Sequence, residues 1–277
     1  FDALKSDWPL PRRHHARLLD NLREAGVAMV AFDVVLADPG EKEDDTALAA
    51  AIKRFGHVVL ASDLTFRESA AMRQWFRVDP LPLLLEAGAQ QGYSSLEVDE
   101  DAVLRKVPVV QDSFWRAVLY KFDQARPGIV TSLDVSDDMR IRWLGGAQTF
   151  TYVPYHHVLN PEGNLPEQWK EFFRDNIVLV GRKVSVIGDV GAAQGESYQT
   201  PFYSRTREFM PRVEAHANLV ANMAAGQILR EAPARWGLGA WLSAVFIALA
   251  FMRRWHPLRS GVVLVLLAGA LAALEIG

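Results

Sequence analysis

Two uncharged apolar runs near the C-terminal end place the strongest constraint on what this chain can fold into. Residues 236–252 read WGLGAWLSAVFIALAFM, and residues 260–274 form a second run after a loop with three arginines. A membrane core about 30 Å thick needs about 20 mostly apolar residues in helical form, with roughly 17 as the lower limit. The two runs therefore predict a transmembrane helical hairpin, the second helix of which is truncated.

The loop between the two runs, residues 253–259, predicts the orientation of the hairpin. It carries three arginines and no acidic residue, and loops of this kind stay in the cytoplasm. Residues 1–235 then lie on the extracytoplasmic side of the membrane. The alternative is a buried hairpin in a soluble core. Against it, Trp236, Trp241 and Trp255 fall near the ends of the first run, where indole rings favour the headgroup level.

Composition excludes several classes of protein and of site. The chain has no cysteine, which excludes disulfides, thiolate metal sites and a cysteine nucleophile. A net charge of −3 gives no electrostatic footprint for a nucleic-acid partner. No serine-hydrolase, zinc-protease or P-loop signature occurs in the sequence. We therefore predict no catalytic residue and no metal ligand, and any cofactor stays unknown.

The apolar pattern of residues 1–235 predicts a single α/β domain with a central, largely parallel or mixed sheet flanked by helices. Residues 27–36, 57–61 and 176–181 are short, nearly unbroken apolar runs, typical of strands buried on both faces. Strand, helix and strand follow one another within about 35 residues, which is the pattern of a βαβ crossover. The segment 62–77 is charged and poorly periodic, and we predict loop or irregular helix there.

Polar side chains follow the predicted strands. Asp33 lies near the end of the first strand, Asp63 ends the second, and Lys183 follows the last. In open α/β sheets, ligands bind outside the carboxyl ends of the strands. These three residues are therefore candidates for a ligand-binding pocket. The alternative is that they cap helices and tie loops down.

Three further candidates come from other positions. A long helix predicted over residues 211–229 places Glu214 and His216 in its first turns, near unpaired amide donors. Arg105 follows an acidic turn, and we expect it to turn inward and pair with a carboxylate. An exposed charge at a strand edge is the alternative for Arg105.

Two other groups of residues could bind a metal by composition. The acidic loop at residues 38–45 carries enough oxygen ligands for calcium but lacks the spacing of an EF-hand. We predict a solvated loop that supplies negative charge to the start of the next helix, and cation binding stays open. The adjacent pairs His14–His15 and His156–His157 cannot share a helix face, and we predict them at the surface or in an interface.

Several short segments follow one another in a fixed order along the chain: VAFD at 30–33, AVLRKVP at 102–108, IRWLG at 141–145, NIVLVG at 176–181, TP at 200–201 and MPRVEAHAN at 210–218. This order of segments resembles the CHASE2 domain, an extracytoplasmic sensor module of bacterial transmembrane receptors. One departure from the family pattern is Arg212, where the family usually has glycine, which slightly alters the start of the last helix.

The resemblance implies a function and a place in the cell. Residues 1–235 would be a periplasmic or extracellular sensor domain without enzyme activity, and residues 236–277 membrane helices of a multi-pass protein in the bacterial inner membrane. The output would be a nucleotide cyclase or a histidine or Ser/Thr kinase. Partners would be the membrane, a second copy in a homodimer and an unidentified extracytoplasmic ligand. Ligand binding or a change in dimer state would pass through the 211–229 helix.

Two functions of other classes compete with this hypothesis. The first is a membrane-anchored hydrolase or transferase that uses Asp33, Glu214 and His216 as acid–base groups, which requires them within hydrogen-bond reach of one another. The second is a purely structural dimerisation module. A filled interior with a large apolar dimer face would favour the structural module.

Overall fold

The chain divides into two compact units, residues 1–229 and residues 230–277. The second apolar run, residues 260–274, lies outside the part of the chain that is described. The computed structural model describes residues 9–69, 72–128, 134–159, 165–183 and 196–254.

Nine helices and nine strands lie within the described residues. The helices of the described residues are α1 (Arg12–Glu24), α2 (Lys42–Phe55), α3 (Pro82–Glu86), α4 (Phe114–Ala125), α5 (Tyr155–Leu159), α6 (Glu167–Phe173), α7 (Tyr203–Thr206), α8 (Arg212–Ala224) and α9 (Ala234–Arg254). The strands are β1 (Met29–Asp33), β2 (Val58–Ser69), β3 (Met72–Val78), β4 (Gln90–Tyr93), β5 (Met139–Arg140), β6 (Ile177–Gly181), β7 (Ser197–Tyr198), β8 (Met210–Pro211) and β9 (Leu229–Arg230).

A mixed sheet forms the centre of the first unit. Its strand order in the described residues is β3-β2-β1-β6, and β4 also pairs with β2. β1 is parallel to β2 and β6, and β4 is parallel to β2, whereas β3 runs antiparallel to β2. The prediction of a mixed α/β fold with helices around a central sheet is therefore confirmed, including the crossover from β1 through α2 to β2.

Both faces of β1 are buried, which explains the apolar run that predicted it. Met29 and Ala31 face one hydrophobic core, shared with α4 and α8. Val30 and Phe32 face a second core, shared with α1 and α2. Successive side chains of a strand point to opposite faces, so a strand between two helical layers needs apolar residues at every position.

The prediction of loop or irregular helix over residues 62–77 is wrong. β2 continues to Ser69 and pairs with β3 in a two-stranded ribbon, from Asp63 opposite Val78 to Ser69 opposite Met72. Beyond the sheet neither face of such a ribbon needs to be apolar. The alternation that identifies a strand is therefore missing from the sequence.

β6 forms as predicted, but it is not buried on both faces. All four residues 177–180 are only partly buried, because β6 is an edge strand that pairs with β1 within the described sheet. The helix predicted over residues 211–229 is also shorter than predicted. α8 ends at Ala224, and Gly226 follows with a positive φ of 61°.

The second unit contains the helix α9, at the position of the first apolar run. In the stretches of the chain that the structure describes, we find no helix with both the length and the apolar character needed to cross a membrane. The transmembrane hairpin therefore stays a prediction.

The packing of β6 against α8 can be tested at Gly181. A β-carbon added there would lie 2.6 Å from Val213 Cβ, a distance at which one of the two elements must shift. We expect Gly181→Ala to lower the free energy of unfolding by about 1–3 kcal/mol. Denaturant unfolding of the 277-residue chain in detergent measures this. Gly146→Ala is the control, since its nearest neighbour would be 3.7 Å away. Equal effects of the two changes would contradict the close packing.

Candidate functional site

The carboxyl ends of β1 and β2 and the start of α8 meet at one edge of the central sheet. β1 ends at Asp33, and Asp63 follows the parallel part of β2 at the same edge. α8 begins at Arg212, directly after Pro211. A proline before the first turn suits a helix start, because its fixed φ and missing N–H carry no penalty there. This edge is where α/β sheets bind ligands.

Arg212 joins the two strand ends through buried ion pairs. Its Nε lies 2.9 Å from Asp33 Oδ1 and 3.2 Å from Asp33 Oδ2, and its Nη1 lies 2.5 Å from Asp63 Oδ2. Its Nη2 is 3.9 Å from Glu196 Oε1. The side chains of Arg212, Asp33 and Asp63 are only 6%, 3% and 20% exposed. One guanidinium therefore connects β1, β2 and the segment before β7.

Further hydrogen bonds hold this Arg212 network in place. The Arg212 backbone N–H donates to the Glu196 carbonyl at 2.9 Å. The second oxygen of Asp63, Oδ1, accepts from the backbone N–H of Leu64 at 2.8 Å and from the Ser95 hydroxyl. Asp63 is thus fixed from three directions, whereas the hydrogen bonding of Asp33 depends on Arg212.

Burial and neighbouring charges shift the pKa of both partners. Burial raises the pKa of Asp33 to about 7, although the Arg212 charge acts in the opposite direction. For Arg212, burial lowers the pKa, but the charges of Asp33, Asp63 and Glu196 outweigh it and raise the pKa above its ordinary value. The network therefore keeps Arg212 charged, while Asp33 is the group that can take up a proton near neutral pH.

His216 lies one turn further along α8 and is buried. Its Nε2 lies 3.0 Å from the Ser94 carbonyl oxygen, and because a carbonyl can only accept, Nε2 donates. The imidazole packs against the Phe114 ring, with 4.8 Å between the ring centroids. Burial, with a smaller contribution from the Arg212 charge, lowers the pKa of His216 to about 3. His216 is therefore a neutral residue that fastens α8 to the segment after β4.

Glu214 is also buried but binds a different part of the chain. Its carboxylate accepts hydrogen bonds from the backbone N–H groups of Gln148 at 2.9 Å and Thr149 at 2.8 Å, and from the Tyr152 hydroxyl at 2.8 Å. Lys183 lies beside this cluster, with its Nζ 4.9 Å from the centre of the Tyr152 ring and 3.2 Å from Gln148 Oε1. Glu214 and Lys183 thus belong to one cluster, separate from the contacts of Arg212.

Glu214 begins a row of acceptors along one side of α8. The side-chain oxygen of Asn218 accepts from the Leu144 N–H at 3.0 Å, and that of Asn222 accepts from the Arg142 N–H at 2.7 Å. Residues four apart lie on the same face of a helix. The row therefore accepts hydrogen bonds from five backbone N–H groups of residues 142–150, a segment without regular strands, and holds that segment to α8.

Arg105 pairs with carboxylates, as expected, but lies away from this edge. Its Nη1 is 3.1 Å from Asp99 Oδ2 and its Nη2 is 2.8 Å from Asp101 Oδ2. Both partners are in the acidic turn just before it, and the Arg105 side chain is partly exposed. Arg105 therefore closes its own turn and does not point into a pocket.

The model of the CHASE2 domain family matches residues 2–252, which is most of the chain. The chain belongs to the CHASE2 domain family. CHASE2 domains are sensor modules of signalling receptors and are not catalytic. The comparison with curated proteins and the comparison with solved structures found no similar protein.

In this CHASE2 domain, the six predicted site residues fall into three places. Asp33 and Asp63 come together as expected from the strand ends, and His216 lies nearby on α8. Glu214 and Lys183 form the second cluster, and Arg105 lies apart. Arg212 lies at the centre of the site but is not among the predicted site residues. The sequence analysis noted it only as a departure from the usual glycine of the family. Its position at the first turn of a helix that starts at the strand ends was the one available signal.

The acid–base arrangement required by a hydrolase or transferase does not form among the described residues of the CHASE2 domain. Asp33 bonds to Arg212, His216 to the Ser94 carbonyl, and Glu214 to amides of the 142–150 segment. Each of the three candidate groups is therefore engaged with a different partner.

The acidic loop 38–45 is tied to α1 instead of being fully solvated. Arg12 Nη1 lies 2.8 Å from Asp45 Oδ1, and the Gly40 N–H donates to Asp45 Oδ2 at 3.0 Å. No cluster of three or more possible metal ligands occurs within the described residues. The prediction that His15 lies at the surface or in an interface is wrong. Its Nδ1 lies 2.7 Å from the Tyr155 hydroxyl in the core beside Phe32.

The pKa of Asp33 predicts how stability depends on pH. Because its folded pKa of about 7 lies above the ordinary value near 3.9, the folded protein binds this proton more tightly than the unfolded chain. The contribution of Asp33 to the free energy of unfolding should therefore grow as pH falls from about 7 to about 4, and be lost as pH rises through 7.

Asp33→Asn should remove this contribution. The difference in free energy of unfolding between wild type and Asp33→Asn should change with pH over that window, as measured by denaturant unfolding at several pH values. The lowered pKa of His216 makes the free energy of unfolding fall on acidification in both proteins. Taking the difference between the two proteins removes this shared effect. Asp20→Asn, in the partly exposed pair with Arg54, is the control. A difference that is constant from pH 4 to 8 would contradict proton uptake by Asp33.

Proposed function

We propose that this CHASE2 domain senses a small extracytoplasmic ligand at the Arg212 network and passes the signal through α8. The observation that supports it most directly is the position of Arg212, which is both the centre of a buried ion network and the first residue of α8. Any molecule that changes the contacts of Asp33 or Asp63 changes what holds the start of this helix.

The other contacts of α8 support a transmitting role. On one side Arg212 and His216 hold the helix to the strand ends, and on another side Glu214, Asn218 and Asn222 hold the 142–150 segment. A shift of α8 must therefore exchange a set of directional bonds for another, which favours two discrete arrangements. A ligand shifts such an equilibrium only through its different affinity for the two states.

We also propose that the chain is part of a homodimeric receptor in the bacterial inner membrane, with a nucleotide cyclase or a histidine or Ser/Thr kinase as its output. Family membership supports the receptor role. The uncharged run at residues 236–252 supports the membrane placement, as does the surface of α9, where large apolar side chains such as Phe246, 73% exposed, face outward. Large exposed apolar surfaces mark membrane or protein contacts.

The signalling proposal predicts that Asp33→Asn changes receptor output. Removing this charge weakens the hold on Arg212, and a change of about 1.4 kcal/mol between two states alters their ratio tenfold. We expect the basal or stimulated output of the intact receptor to change by about that factor. Output is measured in membranes at matched receptor levels, with Asp20→Asn as the control. Unchanged output of Asp33→Asn would exclude the network from the signalling path.

The absence of cysteine from the sequence makes the membrane topology easy to test. Ser204→Cys lies in the exposed part of the first unit, and His256→Cys lies in the loop predicted to be cytoplasmic. In spheroplasts, from which the outer membrane has been removed, a membrane-impermeant maleimide should label the Ser204→Cys variant and not the His256→Cys variant. The cysteine at 256 should react only after the membrane is opened. Labelling of both variants in intact spheroplasts would overturn the proposed topology.

A further inference from the structure

Among the described residues, three carboxylates surround the Arg212 guanidinium at the strand ends. Asp33 and Asp63 both contact one guanidinium, and Glu196 adds a third carboxylate 3.9 Å from its Nη2. Arg182 lies 3.9 Å from Glu196 and offsets part of its charge. Taking a carboxylate out of water without full compensation is costly. The two aspartates therefore favour a cation between them and disfavour an anion.

The geometry of Arg212 also argues against an anionic ligand. A guanidinium binds a carboxylate or phosphate well when it can present two parallel N–H groups. Here Nε is committed to Asp33 and Nη1 to Asp63. An anion that approached Arg212 would come close to both carboxylates.

Buried polar atoms with unfilled hydrogen-bonding capacity occur at the same edge. Asp33 Oδ1, Ser94 Oγ and His216 Nδ1 make no aligned hydrogen bond with any described group, although Asp33 Oδ1 is in ion-pair contact with Arg212. All three residues are more than nine-tenths buried. Ser94 and His216 are joined through the Ser94 carbonyl, and the neighbouring Ser95 bonds to Asp63. Buried polar atoms in folded proteins normally have partners, so these atoms are candidates for hydrogen bonds with a bound polar group.

We propose that the ligand is a small cation with N–H donors, of the guanidinium or ammonium class, that binds Asp33 and Asp63. Without ligand, the Arg212 side chain occupies this cation-binding site. The ligand therefore competes with Arg212 for the two carboxylates. This inference rests on the proposed function and names the ligand class of the same site. Displacement of Arg212 from the two strand ends would remove the ion pairs that hold the first residue of α8 to β1 and β2.

The probe for this proposal is methylguanidinium chloride, added to the 277-residue chain in detergent while thermal unfolding is followed by tryptophan fluorescence. Tetramethylammonium chloride at equal ionic strength is the matched control, since it has the charge but no N–H donor. We expect Arg212→Ala, which has no internal occupant, to gain thermal stability saturably with methylguanidinium and not with the control. Wild type should require at least about tenfold more probe, because Arg212 competes.

Arg212→Ala leaves two carboxylates unpaired and can fail to fold, so Arg212→Lys provides a second test. The lysine ammonium cannot join both strand ends in the geometry of a guanidinium. The thermal stabilisation of Arg212→Lys by methylguanidinium should therefore lie between those of wild type and Arg212→Ala. The double variant Asp33→Asn with Arg212→Lys should lose the response. A probe effect no larger than that of tetramethylammonium in both Arg212 variants would overturn the proposal.

A second series of titrations separates this proposal from the proposed function. If sodium acetate stabilises wild type saturably and loses its effect in Arg212→Lys, the site binds anions, so the ligand class is wrong and the sensing site stands. If neither ion binds and Asp33→Asn also leaves receptor output unchanged, both the ligand class and the sensing site are wrong.

Discussion

One buried ion network fixes the start of α8. Arg212 is charged and almost fully buried, and its contacts with Asp33 and Asp63 are what compensate its lost hydration. Breaking a buried ion pair by removing one partner costs about 3–5 kcal/mol, since the other charge is left unpaired. The three side chains come from β1, β2 and α8, so the network fixes the helix start against two neighbouring strands at once.

The remaining contacts of α8 determine how far the influence of this network extends. Ala215 and Leu219 pack in the core beneath the sheet, while Glu214 binds amides of the 142–150 segment. That segment lacks strand partners for most of its backbone donors, and buried donors must be satisfied. α8 therefore supplies acceptors that this segment does not have in a strand partner. A displacement of the helix would move the 142–150 segment with it.

The sequence pattern was sufficient to predict a strand where burial requires an apolar residue at every position. β1 lies between two cores, so every position is apolar and the strand is visible in the sequence. The strand ends then placed Asp33 and Asp63 at one edge. The sequence pattern did not predict features that depend on contacts between distant parts of the chain. The β2–β3 ribbon has no apolar alternation, and Glu214 finds its partners more than 60 residues away. Arg212 was missed because an arginine in the first turn of a helix is normally an exposed residue, and only the two aspartates make its burial possible.

The balance of charges in the Arg212 network explains why this network suits a sensor. A fully compensated ion pair would hold α8 firmly, and a ligand would have to supply several kcal/mol of differential affinity to move it. Here the buried carboxylates outnumber the guanidinium, and burial raises the pKa of Asp33 to about 7. In the proposed mechanism, a cation that binds Asp33 and Asp63 competes with Arg212 for the same two carboxylates. Recognition of the ligand and release of the helix start would then be coupled at a single pair of aspartates.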